Sequence, residues 1–183
     1  MELSRRQALH PLILTLAVIA LGPASLPVPA ATPPPSDFEL PSVLDGMPAF
    51  KRSEAGGTFL ALHFLLETEC PICQRHTQTL LENAGRLPGL RQIFIKPDSA
   101  EEIRQWARNL PKDAPLYRDA GASLARAFGI PHGYKFHGRT VHYPALVILD
   151  GAGREVFRYV GKNNSDRFDL EKLAAKWKEL AGK

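Results

Sequence analysis

The feature that most constrains the fold is an almost continuously apolar run at residues 58–66, which is followed closely by the only two cysteines of the chain. A run of this length and composition predicts a β-strand covered on both faces, as in a parallel sheet with helices above and below it. The sequence Cys70-Pro71-Ile72-Cys73 comes next. We therefore expect both cysteines to lie at one end of a central strand.

The spacing of the two cysteines predicts a redox pair at the start of a helix. Pro71 suits the first helical position, because no hydrogen bond is lost there. Cys70 then lies at the helix N-terminus, where free N–H groups and the helix dipole favour a thiolate. Cys73 heads an apolar stripe one turn later, so we expect Cys70 to be exposed and Cys73 to be half-buried beneath it. Because the pair closes a loop too small to stabilise a fold by much, its predicted role is chemical.

Residues 1–30 are predicted to be a cleaved export signal. They combine Arg5 and Arg6 with an apolar run at residues 11–22 and a small-residue cleavage site at Val28-Pro29-Ala30. The apolar run is short for a membrane span, which favours a cleaved signal over an uncleaved anchor. The expected location is the periplasm, and contact with the membrane is expected only if the segment stays uncleaved as a tether.

The remainder of the chain is predicted to be a linker followed by one domain. Residues 31–36 are rich in proline, which indicates a linker. Residues 37–183 have the length of a single domain, and the chain is 44% hydrophobic. The formal net charge of +4 is mild, and no basic run or aromatic ladder indicates a nucleic-acid partner.

The order of the predicted elements indicates an α/β domain with a central mixed sheet flanked by helices. After a short strand or extended segment at residues 38–46, strands are expected at residues 58–66, 90–95, 145–149 and 154–160, and helices at residues 71–86, 99–110, 119–128 and 166–180. The arrangement is a βαβ unit followed by a C-terminal ββα unit, whose strands form an antiparallel hairpin around Asp150-Gly151. Residues 131–143 lack periodicity and are predicted to be a loop.

This pattern resembles a thioredoxin-like domain, in particular the exported TlpA/ResA and AhpC/TSA-type redoxins. The resembling stretches are residues 38–46, residues 64–73 with the Cys-X-X-Cys motif, residues 120–130, and Tyr143-Pro144 with the strand and Asp-Gly turn that follow. The resemblance implies that Pro144 is a catalytic-site residue in the cis form, which proline permits, and that it faces the cysteine pair. It also implies substrate contacts for Tyr143, Pro71 and Ile72.

The leading functional hypothesis is thiol–disulfide exchange, in which Cys70 attacks a substrate disulfide and Cys73 resolves the mixed disulfide. A reductase is favoured over an oxidase, because the resemblance is to exported reductases. The expected partners are a protein or small-molecule disulfide and an upstream electron donor. No organic cofactor is implied, since the disulfide between Cys70 and Cys73 is itself the redox centre.

A peroxiredoxin-like peroxidase is an alternative that the residue spacing disfavours. That family places a proline and a threonine seven and three residues before its peroxide-attacking cysteine. The corresponding residues are His63 and Glu67 before Cys70, and Leu66 and Cys70 before Cys73. Neither cysteine therefore has the expected neighbours.

A metal-binding redoxin is the other alternative, because thiolates and imidazoles suit copper or zinc. Cys70, Cys73 and His76 are spaced one helical turn apart and are the candidate ligands. Histidines in the predicted loop before Pro144 could approach them. The competing prediction is that His76 is an exposed helix residue and that His63 is a hydrogen-bonded core residue.

Overall fold

The computed structural model describes residues 35, 37–67 and 70–182. The strands of this part of the chain are β1 (Glu39–Leu40), β2 (Phe50–Lys51), β3 (Phe59–Phe64), β4 (Leu90–Lys96), β5 (Leu116–Arg118), β6 (His132–Phe136), β7 (Arg139–His142), β8 (Ala145–Leu149) and β9 (Glu155–Val160). The α-helices are α1 (Pro71–Glu82), α2 (Ala100–Trp106), α3 (Ser123–Ala127) and α4 (Leu170–Ala181). The predicted export signal and most of the predicted linker lie outside the described residues.

The main sheet is mixed, as predicted, with the strand order β5-β4-β3-β8-β9. Strand β3 is central: it pairs in parallel with β4 and antiparallel with β8. Strands β8 and β9 form the expected antiparallel hairpin. The parallel strands β3, β4 and β5 thus end at the same edge of the sheet, from which the chain enters α1.

Helices cover both faces of this sheet. Alternate residues of β3 point to opposite faces, so both sets of side chains are packed against helices. Ala61 packs on the side of α1, α2 and α4, together with Trp177 from the last helix. Leu60 and Leu62 pack on the other side, with Phe128 from the end of α3. The two-sided burial predicted for the central strand is confirmed. Among the described residues, no helix is both long and apolar enough to cross a membrane.

Residues 131–143 form a two-stranded antiparallel hairpin of β6 and β7, so the prediction of a loop is wrong. The pairing shifts register between His132 and Tyr134, and this irregularity breaks the alternation by which a strand is recognised. His137 and Gly138 form the turn with positive φ angles of 47° and 76°. Such turns usually contain Asn or Asp before the glycine, so a histidine there gives a weak hairpin signal.

The last helix begins later than predicted, at Leu170 instead of Asp166. Asp169 is its N-cap, and its side chain accepts the backbone N–H of Lys172 at 2.9 Å. Asp166 has other partners, since its carboxylate accepts the hydroxyl of Tyr159 and the backbone N–H of Lys162. Residues 161–169 therefore form an ordered connection between β9 and α4, which we call the covering segment.

Candidate active site

Cys70 and Cys73 form a disulfide at the N-terminus of α1, with their Cα atoms 5.1 Å apart. Cys70 is the N-cap of the helix and Pro71 is its first residue, as predicted. The backbone N–H of Cys73 points at Cys70 Sγ, 3.1 Å away. The helix therefore offers a free N–H group to the first sulfur, an arrangement that stabilises a thiolate.

Both cysteines are buried, so the prediction that Cys70 is exposed is wrong. The exposed fractions are 1% for Cys70 and 0% for Cys73. Trp106 at the end of α2 donates its indole N–H to the carbonyl oxygen of Cys70 at 3.4 Å. On the side of the sulfur atoms, Arg167 of the covering segment contacts both cysteines. Burial of the pair thus depends on residues far away in sequence, which a local pattern does not reveal.

Arg167 is the functional candidate that the sequence analysis missed. Its Nη2 lies 3.1 Å from Cys73 Sγ and 3.9 Å from Cys70 Sγ. Its Nη1 donates to the carbonyl oxygens of Asn163 and Asp166 at 3.2 and 3.3 Å, so the covering segment itself holds the guanidinium. No motif surrounds this arginine in the sequence, and only the fold brings it to the cysteines.

No carboxylate in the described part of the chain lies within ion-pair distance of the Arg167 guanidinium. Within the described residues, its guanidinium takes part in no ion pair, and its Nε is buried without a hydrogen-bond partner. Burial lowers the pKa of Arg167 to about 10, against a smaller opposing effect of Tyr134 and Asp166. The side chain is therefore still a cation at neutral pH.

A small pocket borders this arginine, and it is lined by His63, His76, Pro144, Tyr159 and Arg167 among other residues. Its volume of about 10 Å³ is close to the minimum that a single water molecule needs. The pocket is too small for a substrate. Its significance is that Pro144, which was predicted to face the cysteines, shares it with the residue that contacts them.

Pro144 follows a trans peptide bond, so the predicted cis form is wrong: no cis peptide bond occurs among the described residues. The trans form of an X–Pro bond is favoured by about 0.5–1 kcal/mol. Backbone hydrogen bonds on both sides fix the chain in this path. Tyr143 N–H donates to Pro131 O, and Gly161 N–H donates to Pro144 O, each at 2.8 Å.

The other predicted substrate-contact residues differ in how accessible they are. Pro71 is exposed beside the disulfide, whereas Ile72 is half-buried against the core. Tyr143 is half-buried, and its ring lies 5.3 Å from that of Tyr134 on the hairpin. Of the three, Pro71 is the one that a partner can reach without any rearrangement.

His63 is a core residue, as predicted. Its Nε2 is hydrogen-bonded to Gln92 Oε1 at 3.1 Å, and its ring stacks on Phe94 with 4.7 Å between the centroids. Burial lowers its pKa to about 3, and repulsion by His76 acts in the same direction. His63 is therefore neutral at physiological pH.

His76 is half-buried instead of exposed, because its ring packs 6.1 Å from that of His63 and faces the small pocket. Burial lowers the pKa of His76 to about 4, and the charge of Arg167 lowers it further, while Asp169 raises it. His63 of β3 and His76 of α1 are thus both neutral in the folded chain at neutral pH.

Acidification is expected to destabilise the fold through these two histidines. The unfolded chain binds protons near the ordinary pKa of 6.5, whereas the folded chain does so only near 3 for His63 and 4 for His76. Stability is therefore lost as the pH falls below 6.5, by up to about 1.4 kcal/mol per pH unit for His63. Denaturant unfolding between pH 7.5 and 4.5 measures this loss.

Replacing His63 by glutamine is expected to flatten that pH dependence, because the neutral side chain takes up no proton on unfolding. His137→Asn is the matched control, since His137 is exposed at the hairpin turn and asparagine tolerates its positive φ angle. Equal pH slopes for wild type and His63→Gln would contradict the assignment.

A buried ion pair also lies behind Cys70, and the sequence analysis did not identify it. Lys96 Nζ is 2.9 Å from Asp98 Oδ2 and donates to the carbonyl oxygen of Leu66 at 2.8 Å. It also lies 4.9 Å from the centre of the Trp106 ring. Burial lowers the pKa of Lys96, while Asp98 raises it. The only signal in the sequence is a lone lysine at the end of an apolar strand.

The three proposed metal ligands do not form a metal site in this structure, in which Cys70 and Cys73 are joined as a disulfide. Within residues 35, 37–67 and 70–182, no three His, Cys, Asp or Glu side chains cluster as a metal site requires. The hairpin histidines are also dispersed: His132 and His137 are exposed, whereas His142 is buried and donates its Nδ1–H to Tyr143 O at 2.7 Å.

Comparison with known proteins gives one family match. The model of the AhpC/TSA family matches residues 33–154. No curated protein matches the chain.

Several solved structures are similar over most of their length. A cysteine-to-serine mutant of peroxiredoxin Q from Xylella fastidiosa has a TM-score of 0.63 and 17% identity, covering 79% of this chain and 89% of that one. The bacterioferritin comigratory protein of Xanthomonas campestris, with alkyl peroxide reduction activity, has a TM-score of 0.61 and 20% identity, covering 88% of this chain and 98% of that one. The exposed lipoprotein thioredoxin of Streptococcus pneumoniae has a TM-score of 0.58 and 21% identity, covering 78% of this chain and 98% of that one. These similarities establish a thioredoxin-like fold.

Proposed function

This chain belongs to the AhpC/TSA family of thiol-based oxidoreductases, and we propose that it catalyses thiol–disulfide exchange through Cys70 and Cys73. The observation that supports this most directly is the disulfide at the N-terminus of α1. Cys70 is the proposed nucleophile, because its Sγ accepts the free N–H of Cys73. Cys73 is the proposed resolving residue.

The proposed reaction transfers two electrons from the reduced pair to a substrate disulfide. The thiolate of Cys70 attacks one substrate sulfur, a mixed disulfide forms, and the other substrate sulfur leaves as a thiolate that takes up a proton. The thiolate of Cys73 then attacks Cys70 Sγ, which forms the internal disulfide and releases the second substrate thiol. A dithiol reductant returns the two electrons to the pair.

Disulfide reduction is the direction that we propose, on a protein or small-molecule disulfide outside the cytoplasm. The resemblance to exported reductases and the signal-like residues 1–30 support this assignment. Pro71, Ile72 and Tyr143 are the proposed substrate contacts, and Pro71 is the most accessible of them.

The surroundings of Cys70 favour disulfide exchange over peroxide reduction. His63, which occupies the position of the proline that peroxiredoxins require, lies in the core against Phe94. Glu67, which occupies the position of the threonine, forms an ion pair with Arg139 at 3.0 Å. Position 67 therefore offers no hydroxyl group to a peroxide bound at Cys70.

A redox titration of the purified chain tests this function. Alkylation of free thiols across a glutathione series, read by mass shift, is expected to reveal one cooperative transition that involves both cysteines. A potential below that of the glutathione couple would support reduction, and a markedly higher one would support oxidation. Failure to form the internal disulfide under any condition would refute exchange, and peroxide consumption well above that of free thiol would favour a peroxidase.

A further inference from the structure

We propose that Arg167 is a positioning residue whose charge stabilises the thiolates of the reduced cysteine pair and thereby raises the reduction potential of the pair. This inference rests on the proposed function, since it concerns the same two sulfur atoms. It assigns a role to a residue that lies 94 residues beyond Cys73 in the chain.

The geometry places one nitrogen of Arg167 within reach of both sulfur atoms. Nη2 is 3.1 Å from Cys73 Sγ and 3.9 Å from Cys70 Sγ, while the backbone N–H of Cys73 approaches Cys70 Sγ from the helix. Each sulfur thus has a donor near it. The nearer contact of Arg167 is with Cys73 Sγ, whereas the N–H group of α1 donates to Cys70 Sγ.

The oxidised pair gives this cation no anion to bind, because a disulfide is neutral. Within the described residues, no carboxylate forms an ion pair with Arg167. Reduction supplies the missing anion, since a thiolate forms where the neutral sulfur was. The contact then becomes a charge-assisted hydrogen bond, which is about twice as strong as a neutral one.

The guanidinium is held in place by a chain of contacts and not merely packed near the cysteines. Its Nη1 donates to two carbonyl oxygens of the covering segment, those of Asn163 and Asp166. The hydroxyl of Tyr134 on the hairpin accepts the backbone N–H of Asn164 at 3.0 Å. Two elements therefore fix the position of Arg167 above the sulfur atoms.

Among the described residues, none of the groups that shift the pKa of Arg167 is a second cation at neutral pH. His76 is neutral, because its pKa lies at about 4. Asp166 accepts hydrogen bonds from the hydroxyl of Tyr159 and the N–H of Lys162. Tyr134, Asp166 and Tyr159 act on the pKa of Arg167 in the direction that keeps it charged.

The sign of the effect follows from which state gains the charge. A cation stabilises the thiolate but not the disulfide, so it favours the reduced form and raises the potential. The contact also concerns the resolving step. When Cys70 is in a mixed disulfide, Cys73 is the sulfur that must be a thiolate, and it is the nearer one to Arg167.

The test is the redox equilibrium of the full chain with Arg167→Gln and Arg167→Met, compared with Arg167→Lys. The uncharged variants are expected to shift the equilibrium with glutathione about tenfold toward the disulfide, which corresponds to about 30 mV. Their alkylation profile in the reduced form is expected to move to higher pH. The difference in reduction potential between wild type and variant is expected to reach its full size above the pKa of the variant thiol. It is expected to vanish well below the pKa of the wild-type thiol.

Arg167→Lys is expected to keep most of the wild-type potential, because it retains the charge. Arg154→Gln is the matched charge control: Arg154 lies at the turn between β8 and β9 and pairs with Asp150, 2.7 Å away. A folded Arg167→Gln or Arg167→Met chain with the wild-type potential would overturn the inference, as would an equal shift in Arg154→Gln. Absence of the internal disulfide in the wild type would instead refute the proposed function.

Discussion

Replacing Cys70 with serine is expected to abolish disulfide exchange, whereas replacing Cys73 with serine is expected to trap the chain as a mixed disulfide. The first change removes the attacking sulfur, and the second removes the sulfur that resolves the intermediate. Turnover is expected to be lost in both variants, by at least about a hundredfold relative to wild type, because a serine hydroxyl does not exchange with disulfides.

Intact-mass analysis after incubation with a disulfide substrate separates the two variants. Because the chain has only two cysteines, an added substrate thiol in Cys73→Ser is attached to Cys70. Cys70→Ser is expected to preserve the helix start, since serine is itself a favourable N-cap. A mixed disulfide that forms faster on Cys73 of the Cys70→Ser chain than on Cys70 of the Cys73→Ser chain would reverse the two roles.

Replacing Gly161 with alanine is expected to displace the covering segment. A Cβ atom at this position would overlap with Asp166 O and would lie 3.0 Å from Pro144 Cγ. An overlap with a backbone atom cannot be relieved by a side-chain rotation, so residues 161–169 must move, and Arg167 must move with them. We expect a loss of about 1–3 kcal/mol in stability, the usual cost of overpacking, and faster alkylation of the reduced cysteines in the native state.

Denaturant unfolding and native-state alkylation rates measure the two effects of that change. Gly85→Ala is the matched control, because Gly85 has ordinary φ and no atom within 4 Å of an added Cβ. The control is expected to resemble wild type in both assays. Wild-type stability together with unchanged alkylation in Gly161→Ala would show that the close approach at Gly161 does not hold the segment in place.

The parts of the fold that could be predicted from the sequence are those with a local signal. The continuous apolar run predicts the central strand, and Pro71 after a potential N-cap predicts the start of α1. The C-terminal hairpin is marked by Asp150-Gly151 between two strand-like runs. Each of these signals lies within a few residues of the element that it predicts, and each of these elements is confirmed.

Elements defined by pairing with distant strands were missed. Strand β5 has three residues and exists because it pairs with the end of β4. Strands β6 and β7 lack a clear sequence pattern, because their pairing contains a register shift and their turn contains His137 in place of a more typical residue. The cis form of Pro144 was implied by resemblance alone, and the structure has the trans form.

The site was half predictable for the same reason. Cys70 and Cys73 reveal themselves by spacing, and the helix start follows from Pro71. The contact of Arg167 with the sulfur atoms depends on a loop that returns to the cysteines from the far end of the domain. The burial of Lys96 depends likewise on its pairing with Asp98 beneath Trp106. No periodicity or motif encodes such contacts.

The position of the covering segment in the chain has a consequence for the order of folding. The sulfur atoms and the guanidinium that covers them are 94 and 97 residues apart in sequence. Because synthesis proceeds from the N-terminus, both cysteines are present in the growing chain well before residues 161–169 have been added. We therefore expect an incomplete chain to react faster with thiols and oxidants than the folded chain, in which residues 161–169 restrict access to the pair.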